Sequence, residues 1–99
     1  MSKAVIEVKA SHILVSTEKE AQALLKEIEA GKSFAQVATE KSLCPSGRTG
    51  GDLGSFGRGV MVKPFEDAAF SLRVGQVSKP IQTQFGWHLI KVYDKVEEE

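Results

Sequence analysis

The sequence contains very little cysteine and no excess of charge of either sign. Cys44 is the single cysteine, so an internal disulfide is impossible and a reducing compartment suits the chain. Thirteen basic residues balance thirteen acidic ones, which gives a formal net charge of zero. A neutral chain lacks the electrostatic footprint typical of proteins that bind nucleic acid or an anionic membrane. We therefore expect no nucleic acid and no membrane among its partners.

Long apolar runs are missing as well. Charge interrupts the first residues, MSKAVIE, before the apolar core of a signal peptide can develop. No stretch approaches the ~20 apolar residues of a membrane span. We expect a cytoplasmic protein, although a domain excised from a larger exported protein would have the same composition.

The length and the apolar fraction indicate one small domain. Ninety-nine residues are too few for two domains, and an apolar share of 41% can supply a modest core. We predict a single domain over residues 1–99 and expect it to be a monomer.

Hydrophobic periodicity and turn residues predict an α+β domain. The predicted elements are a strand over residues 5–15, a helix over 17–31, a second helix from 33, a loop over 42–59, a third helix from 64, strands over 77–81 and 87–96, and a solvated tail over 97–99. Thr17 and Glu20 form a capping-box pattern, in which each side chain can accept from a free backbone N–H. The loop assignment rests on Pro45 and on six of the nine glycines. Because the order has no βαβ rhythm, the sheet is predicted to be mostly antiparallel.

Neither the glycine-rich loop nor the few soft ligands predict a cofactor. Residues 47–59 fit neither GxxxxGK[ST] nor a GxGxxG that opens a helix, so tight turns and close backbone approach explain the glycines better. One cysteine and two histidines are too few and too badly spaced for a zinc site. We expect no metal and no cofactor.

Cys44, His12 and His88 are the candidates for chemistry. The thiol is either a small buried hydrophobe or a nucleophile with a histidine base, and no signature around it favours the second interpretation. The two histidines lie on strands that can be neighbours, where they would satisfy each other by sharing one proton between ring nitrogens. The residues alone leave a structural and a functional histidine pair equally open.

A second group of candidates is apolar and lies around the irregular loop and the start of the third helix. It consists of Leu53, Phe56, Met61 and Phe65. Such residues pack a core by default, but aromatics and a methionine on loops also build a socket for a side chain such as proline.

Four blocks of sequence match a known family in order and spacing. They are SHILV at 11–15, GGDLGSF at 50–56, MVKPFEDAAF at 61–70 and GWHLIKV at 86–92. Together they resemble the parvulin family of peptidyl-prolyl cis-trans isomerases over roughly residues 10 to 93. The segment CPSG at 44–47 looks most like the minimal, single-domain bacterial members.

This resemblance implies a four-stranded antiparallel sheet surrounded by helices, the parvulin-like and FKBP-like superfold. It implies rotation of X–Pro peptide bonds in proline-containing peptides and unfolded protein chains, which assists folding. The catalytic residues it implies are His12, Cys44, Thr83 and His88, with the Thr83 hydroxyl bonded to one of the histidines. The substrate-binding residues it implies are Leu53, Phe56, Met61, Phe65 and Phe85. Phe85 stands where some members have serine, which puts a polar contact there in doubt.

One connection departs from the phosphorylation-dependent parvulins, which carry a basic loop between the first strand and the first helix. Here Ser16 and Thr17 lead directly to the acidic Glu18, and Lys19 stands alone. A phosphate before proline would therefore lack the paired arginines that recognise it. We expect a substrate without phosphate.

Three mechanisms or functions compete with non-covalent isomerisation. They are nucleophilic attack by Cys44 on the substrate carbonyl, a non-catalytic module that binds unfolded, aromatic-rich segments, and a thiol hydrolase. Both histidines, the thiol and the whole socket are present, which favours an active isomerase.

Overall fold

The computed structural model describes residues 4–98, which form a four-stranded sheet flanked by helices. The elements in chain order are β1 (Ala4–Val15), α1 (Glu18–Glu29), α2 (Phe34–Lys41), a 3₁₀ helix (Pro45–Thr49), β2 (Asp52–Gly57), α3 (Lys63–Ser71), β3 (Ile81–Thr83) and β4 (Gly86–Glu98). Within these residues, no helix is long and apolar enough to cross a membrane.

The sheet is antiparallel throughout, with the strand order β2-β1-β4-β3. The two long strands, β1 and β4, are therefore central, and the short strands β2 and β3 form the edges. The predicted fold class, an α+β domain with a four-stranded antiparallel sheet, is confirmed.

Side-chain caps begin the first two helices as predicted. The Thr17 hydroxyl accepts from the Glu20 backbone N–H at 3.2 Å, and the Ser33 hydroxyl accepts from Gln36 N–H at 3.3 Å. Each such cap is worth about 1 kcal/mol. The reciprocal half of the capping box differs from the prediction, because the Glu20 carboxylate accepts from the Thr17 hydroxyl at 3.0 Å.

Both faces of the sheet are covered by helices, so the domain has two core clusters. The cluster under α3 consists of Val8, Ala10, Phe56, Phe65, Ala69, Phe70, Leu72, Ile90 and Val92. The cluster under α1 and α2 consists of Ile13, Val15, Ala21, Leu24, Phe34, Val37, Ala38 and Leu89. Adjacent residues of a strand point to opposite faces, which is why Leu89 and Ile90 are both buried.

Three element predictions were wrong in their bounds. The predicted loop over 42–59 contains the 3₁₀ helix and the edge strand β2, where Phe56 pairs with Val8 of β1. Glycine has a low strand propensity, so only this long-range pairing makes the segment a strand. The strand predicted over 77–81 lies at Ile81–Thr83 instead, with a single bridge from Val77 to Lys91. In the predicted tail, residues 97 and 98 pair with β1, and residue 99 lies outside the described residues.

Candidate active site

An apolar pocket of about 470 Å³ opens on the α3 side of the sheet. Its lining residues are His12, Leu14, Leu43, Cys44, Pro45, Leu53, Val60, Met61, Val62, Phe65, Phe85 and His88. Seven of the nine predicted site residues are among them; Thr83 and Phe56 are not. The structure thus brings together residues from five separate parts of the sequence.

The two histidines lie on the central strands and contact each other. The Nδ1 atoms of His12 and His88 are 3.0 Å apart, and the rings stack with centroids 5.2 Å apart. Both side chains are buried, at 6% and 4% exposure. One ring donates its N–H and the other accepts, so two neutral rings satisfy this contact. The geometry of the predicted pair is therefore present.

Thr83 extends this contact into a chain of hydrogen bonds. Its hydroxyl lies 2.7 Å from His88 Nε2 and also accepts from the Phe85 backbone N–H at 3.1 Å. His88 thus has a partner at each ring nitrogen. His12 Nε2, in contrast, is buried with no hydrogen-bond partner among the described residues.

Burial keeps both histidines neutral near pH 7. It lowers the pKa of His12 to about 4, and repulsion from a charged His88 adds to this effect. Burial likewise lowers the pKa of His88 to about 4. The pair therefore forms an uncharged part of the pocket lining.

Phe65 connects the histidine pair to the core. Its ring meets both imidazoles edge to face, with centroids 5.6 Å from His12 and 5.2 Å from His88. Phe56 packs behind Phe65 at 6.1 Å between ring centroids and is only 5% exposed. Phe56, predicted to complete the pocket wall, lies in the core under α3 and is not among the residues that line the pocket.

Cys44 borders the pocket at the point where the chain enters the 3₁₀ helix. Its thiol sulfur accepts a hydrogen bond from the Ser46 hydroxyl at 3.2 Å, and the residue is partly buried. Within residues 4–98, the thiol has no hydrogen bond to either histidine. A histidine base for a nucleophilic thiol is therefore not in place.

Ser42 positions the segment that carries Cys44, although it was not among the predicted site residues. The Ser42 hydroxyl accepts from the backbone N–H groups of Leu14 at 3.0 Å and Cys44 at 3.3 Å. Leu43 N–H also donates to the Leu14 carbonyl at 2.8 Å. The sequence signal that could have indicated this role is the position of Ser42, directly after a predicted helix and directly before Leu43-Cys44-Pro45.

The pocket has an apolar rim, of which one residue was predicted. Leu43, Val60 and Phe85 line the pocket yet remain 64%, 66% and 61% exposed. Of these, Phe85 was predicted, whereas Leu43 and Val60 lie in segments outside any periodic pattern. Exposed apolar side chains around a pocket are typical of a binding surface for apolar ligands.

The pocket lining is short of charged side chains in the part of the chain that the structure describes. No lysine or arginine lines it. Arg58, two residues before the lining residue Val60, instead donates to Glu66 at 3.4 Å, and its guanidinium lies 4.3 Å from the centre of the Phe70 ring. No group of three or more histidine, cysteine or acidic side chains among these residues could hold a metal ion.

Comparison with known proteins relates the chain to one family. The family model described as "Rotamase: PPIC-type PPIASE domain" matches residues 6–94. The foldase protein PrsA of Geobacillus sp. (strain WCH70) is 53% identical over 91 residues, which cover 91% of this chain and 33% of that protein. The chain spans about a third of the length of the curated relatives it matches.

Solved structures of both long and short proteins resemble the chain. The crystal structure of the peptidylprolyl isomerase PrsA from Bacillus anthracis has a TM-score of 0.93 and 44% identity, covering 96% of this chain and 44% of that one. The solution structure of NmPin, the parvulin of Nitrosopumilus maritimus, has a TM-score of 0.83 and 47% identity, with coverage of 92% and 99%.

Proposed function

Since the chain belongs to the parvulin family and carries a PPIC-type peptidyl-prolyl isomerase domain over residues 6–94, we propose that it rotates X–Pro peptide bonds in flexible or unfolded polypeptides without breaking a covalent bond. The observation that supports this most directly is the apolar pocket bordered by a neutral histidine pair. A pocket of this kind can hold a proline ring and remove water from the adjoining carbonyl.

The reaction requires little more than such an environment. Rotation about the peptide bond is opposed by amide resonance, with a barrier of about 18–20 kcal/mol. The twisted amide has lost this resonance, so its carbonyl carries less negative charge than the planar form. A catalyst must bind the twisted form more tightly than either planar isomer. An apolar site favours the twisted amide because the less polar carbonyl loses less hydration on entering it.

In this proposal, Met61 and Phe65 hold the proline ring. Phe65 forms the buried base of the socket, 3% exposed, and Met61 is half-buried at its side. Leu53 adds a further apolar wall from β2.

The polar groups of the site orient the rest of the substrate. The His12–His88 pair connects the two central strands below the socket, and Thr83 orients the His88 ring through its 2.7 Å contact. The Cys44 thiol lies at the pocket edge, where it can donate a weak hydrogen bond to the turning amide. The lack of a hydrogen-bonded base for Cys44 among the described residues supports this non-covalent role over a nucleophilic one.

A protease-coupled isomerase assay on a short X-Pro peptide tests the proposal. Wild-type protein should accelerate the cis-to-trans step, and Met61→Ala should reduce kcat/KM by about tenfold, the factor given by about 1.4 kcal/mol of lost contact. Val74→Ala is a matched control, since Val74 is an apolar residue with 56% exposure outside the pocket. No acceleration by the folded wild-type protein would exclude the proposal.

Binding of unfolded chains without catalysis is the second candidate. The exposed rim of Leu43, Val60 and Phe85 supports it, and relatives carry the name foldase or are described as SurA-like chaperones. Suppression of aggregation of a proline-free unfolded protein would favour this function. Aggregation suppression together with catalysis would show that one surface serves both.

We also propose that the chain acts as a monomer in a reducing compartment, the cytoplasm. The half-buried free thiol of Cys44 at the pocket edge supports the reducing environment. Cell fractionation and analytical ultracentrifugation test the two statements separately.

A further inference from the structure

Glu66 is a buried carboxylate that lies outside the pocket. It follows the socket residue Phe65 directly on α3, and its exposure is only 6%. Phe65 faces the histidine pair, whereas Glu66 faces the connection between β2 and α3. A buried carboxylate is costly unless hydrogen bonds and opposite charges compensate it.

Three groups compensate the charge of Glu66. Its Oε1 accepts from the Gly59 backbone N–H at 2.5 Å. Its Oε2 lies 3.4 Å from Arg58 Nη1 and 3.7 Å from Lys63 Nζ. The guanidinium of Arg58 lies 4.3 Å from the centre of the Phe70 ring, a cation–π distance. Two of the three groups belong to residues 58 and 59, directly after β2.

These contacts secure the loop that carries one wall of the pocket. Residues 58–62 join β2 to α3, and Val60, Met61 and Val62 all line the pocket. Among the described residues, residues 58–61 make two hydrogen bonds beyond those within β2 and α3. Glu66 is the acceptor in both. Gly59 has a φ of +86°, so the anchored N–H belongs to the residue at which the loop turns.

We infer that Glu66 is a positioning residue that sets the substrate socket, by fixing the loop that presents Val60 and Met61 opposite Phe65. This inference rests on the proposed isomerase function for its effect on activity, but its structural part does not. In the proposed function, Met61 of this loop contacts the proline ring and not the rotating carbonyl, so the loop should bind the planar and the twisted substrate equally. Loosening it should therefore weaken binding of both forms, which raises KM and leaves kcat nearly unchanged.

Substitution of Glu66 tests the inference by kinetics and by NMR. Glu66→Ala should raise KM for an X-Pro peptide by about tenfold while kcat stays within about twofold. In this variant the resonance of the Gly59 amide proton should move upfield, because its hydrogen bond to the carboxylate is lost. The Val60 methyl groups should become more mobile. Glu66→Gln keeps an oxygen that can accept from Gly59 N–H, so it should restore much of the affinity.

Asp67→Asn is the matched control. Asp67 neighbours Glu66 on the same helix and pairs with Lys63 at 2.8 Å, but it makes no hydrogen bond or ion pair with the loop residues 58–61. It should leave both KM and the Gly59 amide shift unchanged. If Glu66→Ala does not fold, Glu66→Asp replaces it, because a carboxylate one methylene shorter cannot keep the contact with Gly59.

Two outcomes separate this inference from the proposed function. A folded Glu66→Ala or Glu66→Asp protein with wild-type KM and wild-type Val60 methyl mobility would overturn the positioning role. If the wild-type protein does not isomerise any X-Pro peptide, the proposed function fails, but the Gly59 shift and the Val60 mobility still decide whether Glu66 holds the loop.

Discussion

His12 and His88 meet Nδ1 to Nδ1 at 3.0 Å although their backbones are not directly opposite each other. The register of the central strands pairs His88 with Leu14 and His12 with Ile90. The two imidazoles are therefore diagonal neighbours on one face of the sheet, a separation that aromatic side chains can bridge. This diagonal contact places a polar pair between the apolar pocket and the core under α3.

Loss of either histidine should reduce stability as well as turnover. His88→Ala removes the partner of both His12 and Thr83, whereas His12→Ala removes one partner of His88. Each unpaired buried group costs about 1–3 kcal/mol, so His88→Ala should be the more destabilising. Urea unfolding of both variants measures the loss of stability. Val96→Ala is the control, because Val96 is an exposed residue on β4, the strand that carries His88. Unchanged free energies of unfolding with abolished activity would instead assign the histidines to chemistry alone.

Folding stability should fall as the pH decreases from about 6.5 toward 4. The pKa of each histidine is lowered from 6.5 in the unfolded chain to about 4 in the folded protein. In this pH window the unfolded state therefore binds more protons than the folded state. The free energy of unfolding present above pH 6.5 is progressively lost, and each histidine contributes up to about 1.4 kcal/mol for each unit by which its pKa is lowered. Urea unfolding at pH 7.5 and pH 5 measures the loss. A His12→Phe/His88→Phe variant should show a smaller difference between the two pH values, and an equal difference would contradict the assignment.

Replacement of the thiol should leave partial activity. Cys44→Ser keeps a small hydrogen-bonding group at the pocket edge, so we expect a reduced kcat/KM with a measurable residual rate in the protease-coupled assay. Ser46→Ala serves as a control, because it removes only the donor to the thiol sulfur. Complete loss of activity, together with a thiol adduct trapped on the substrate, would establish nucleophilic attack by Cys44.

Substrates with an apolar residue before proline should be preferred to phosphorylated ones. The rim residues Leu43 and Phe85 offer apolar surface, while a phosphate of roughly −1.5 to −2 charges needs donors to replace its hydration. No lysine or arginine lines the pocket in the described residues, and Arg58 already pairs with Glu66. Values of kcat/KM for peptides with alanine, leucine, glutamate and phosphoserine before proline test this. A tenfold preference for phosphoserine, about 1.4 kcal/mol, would require an anion site elsewhere.

Local sequence signals determined most of the helices. The Thr17 and Ser33 hydroxyls each accept from a backbone N–H three residues later, so each cap is encoded within one turn of helix. The long central strands were predictable for the same reason, because β-branched and aliphatic residues alternate along them. The order and spacing of four sequence blocks then identified the family, and with it seven of the twelve residues that line the pocket.

The tertiary structure determined the features that depend on contacts between residues distant in sequence. The strand β2 forms because Phe56 pairs with Val8 of β1. Its glycines interrupt the alternation of apolar and polar residues by which a strand is predicted from sequence. The same packing turns Phe56 toward the core. Ser42 and Glu66 also act through backbone groups, those of Leu14 and Gly59, whose positions only the folded chain brings within hydrogen-bond distance. The sequence by itself determined seven of the twelve side chains that line the pocket. Only the folded structure determined the other five and the hydrogen bonds that hold the site in place, because those bonds end on backbone groups, which the side-chain sequence does not distinguish.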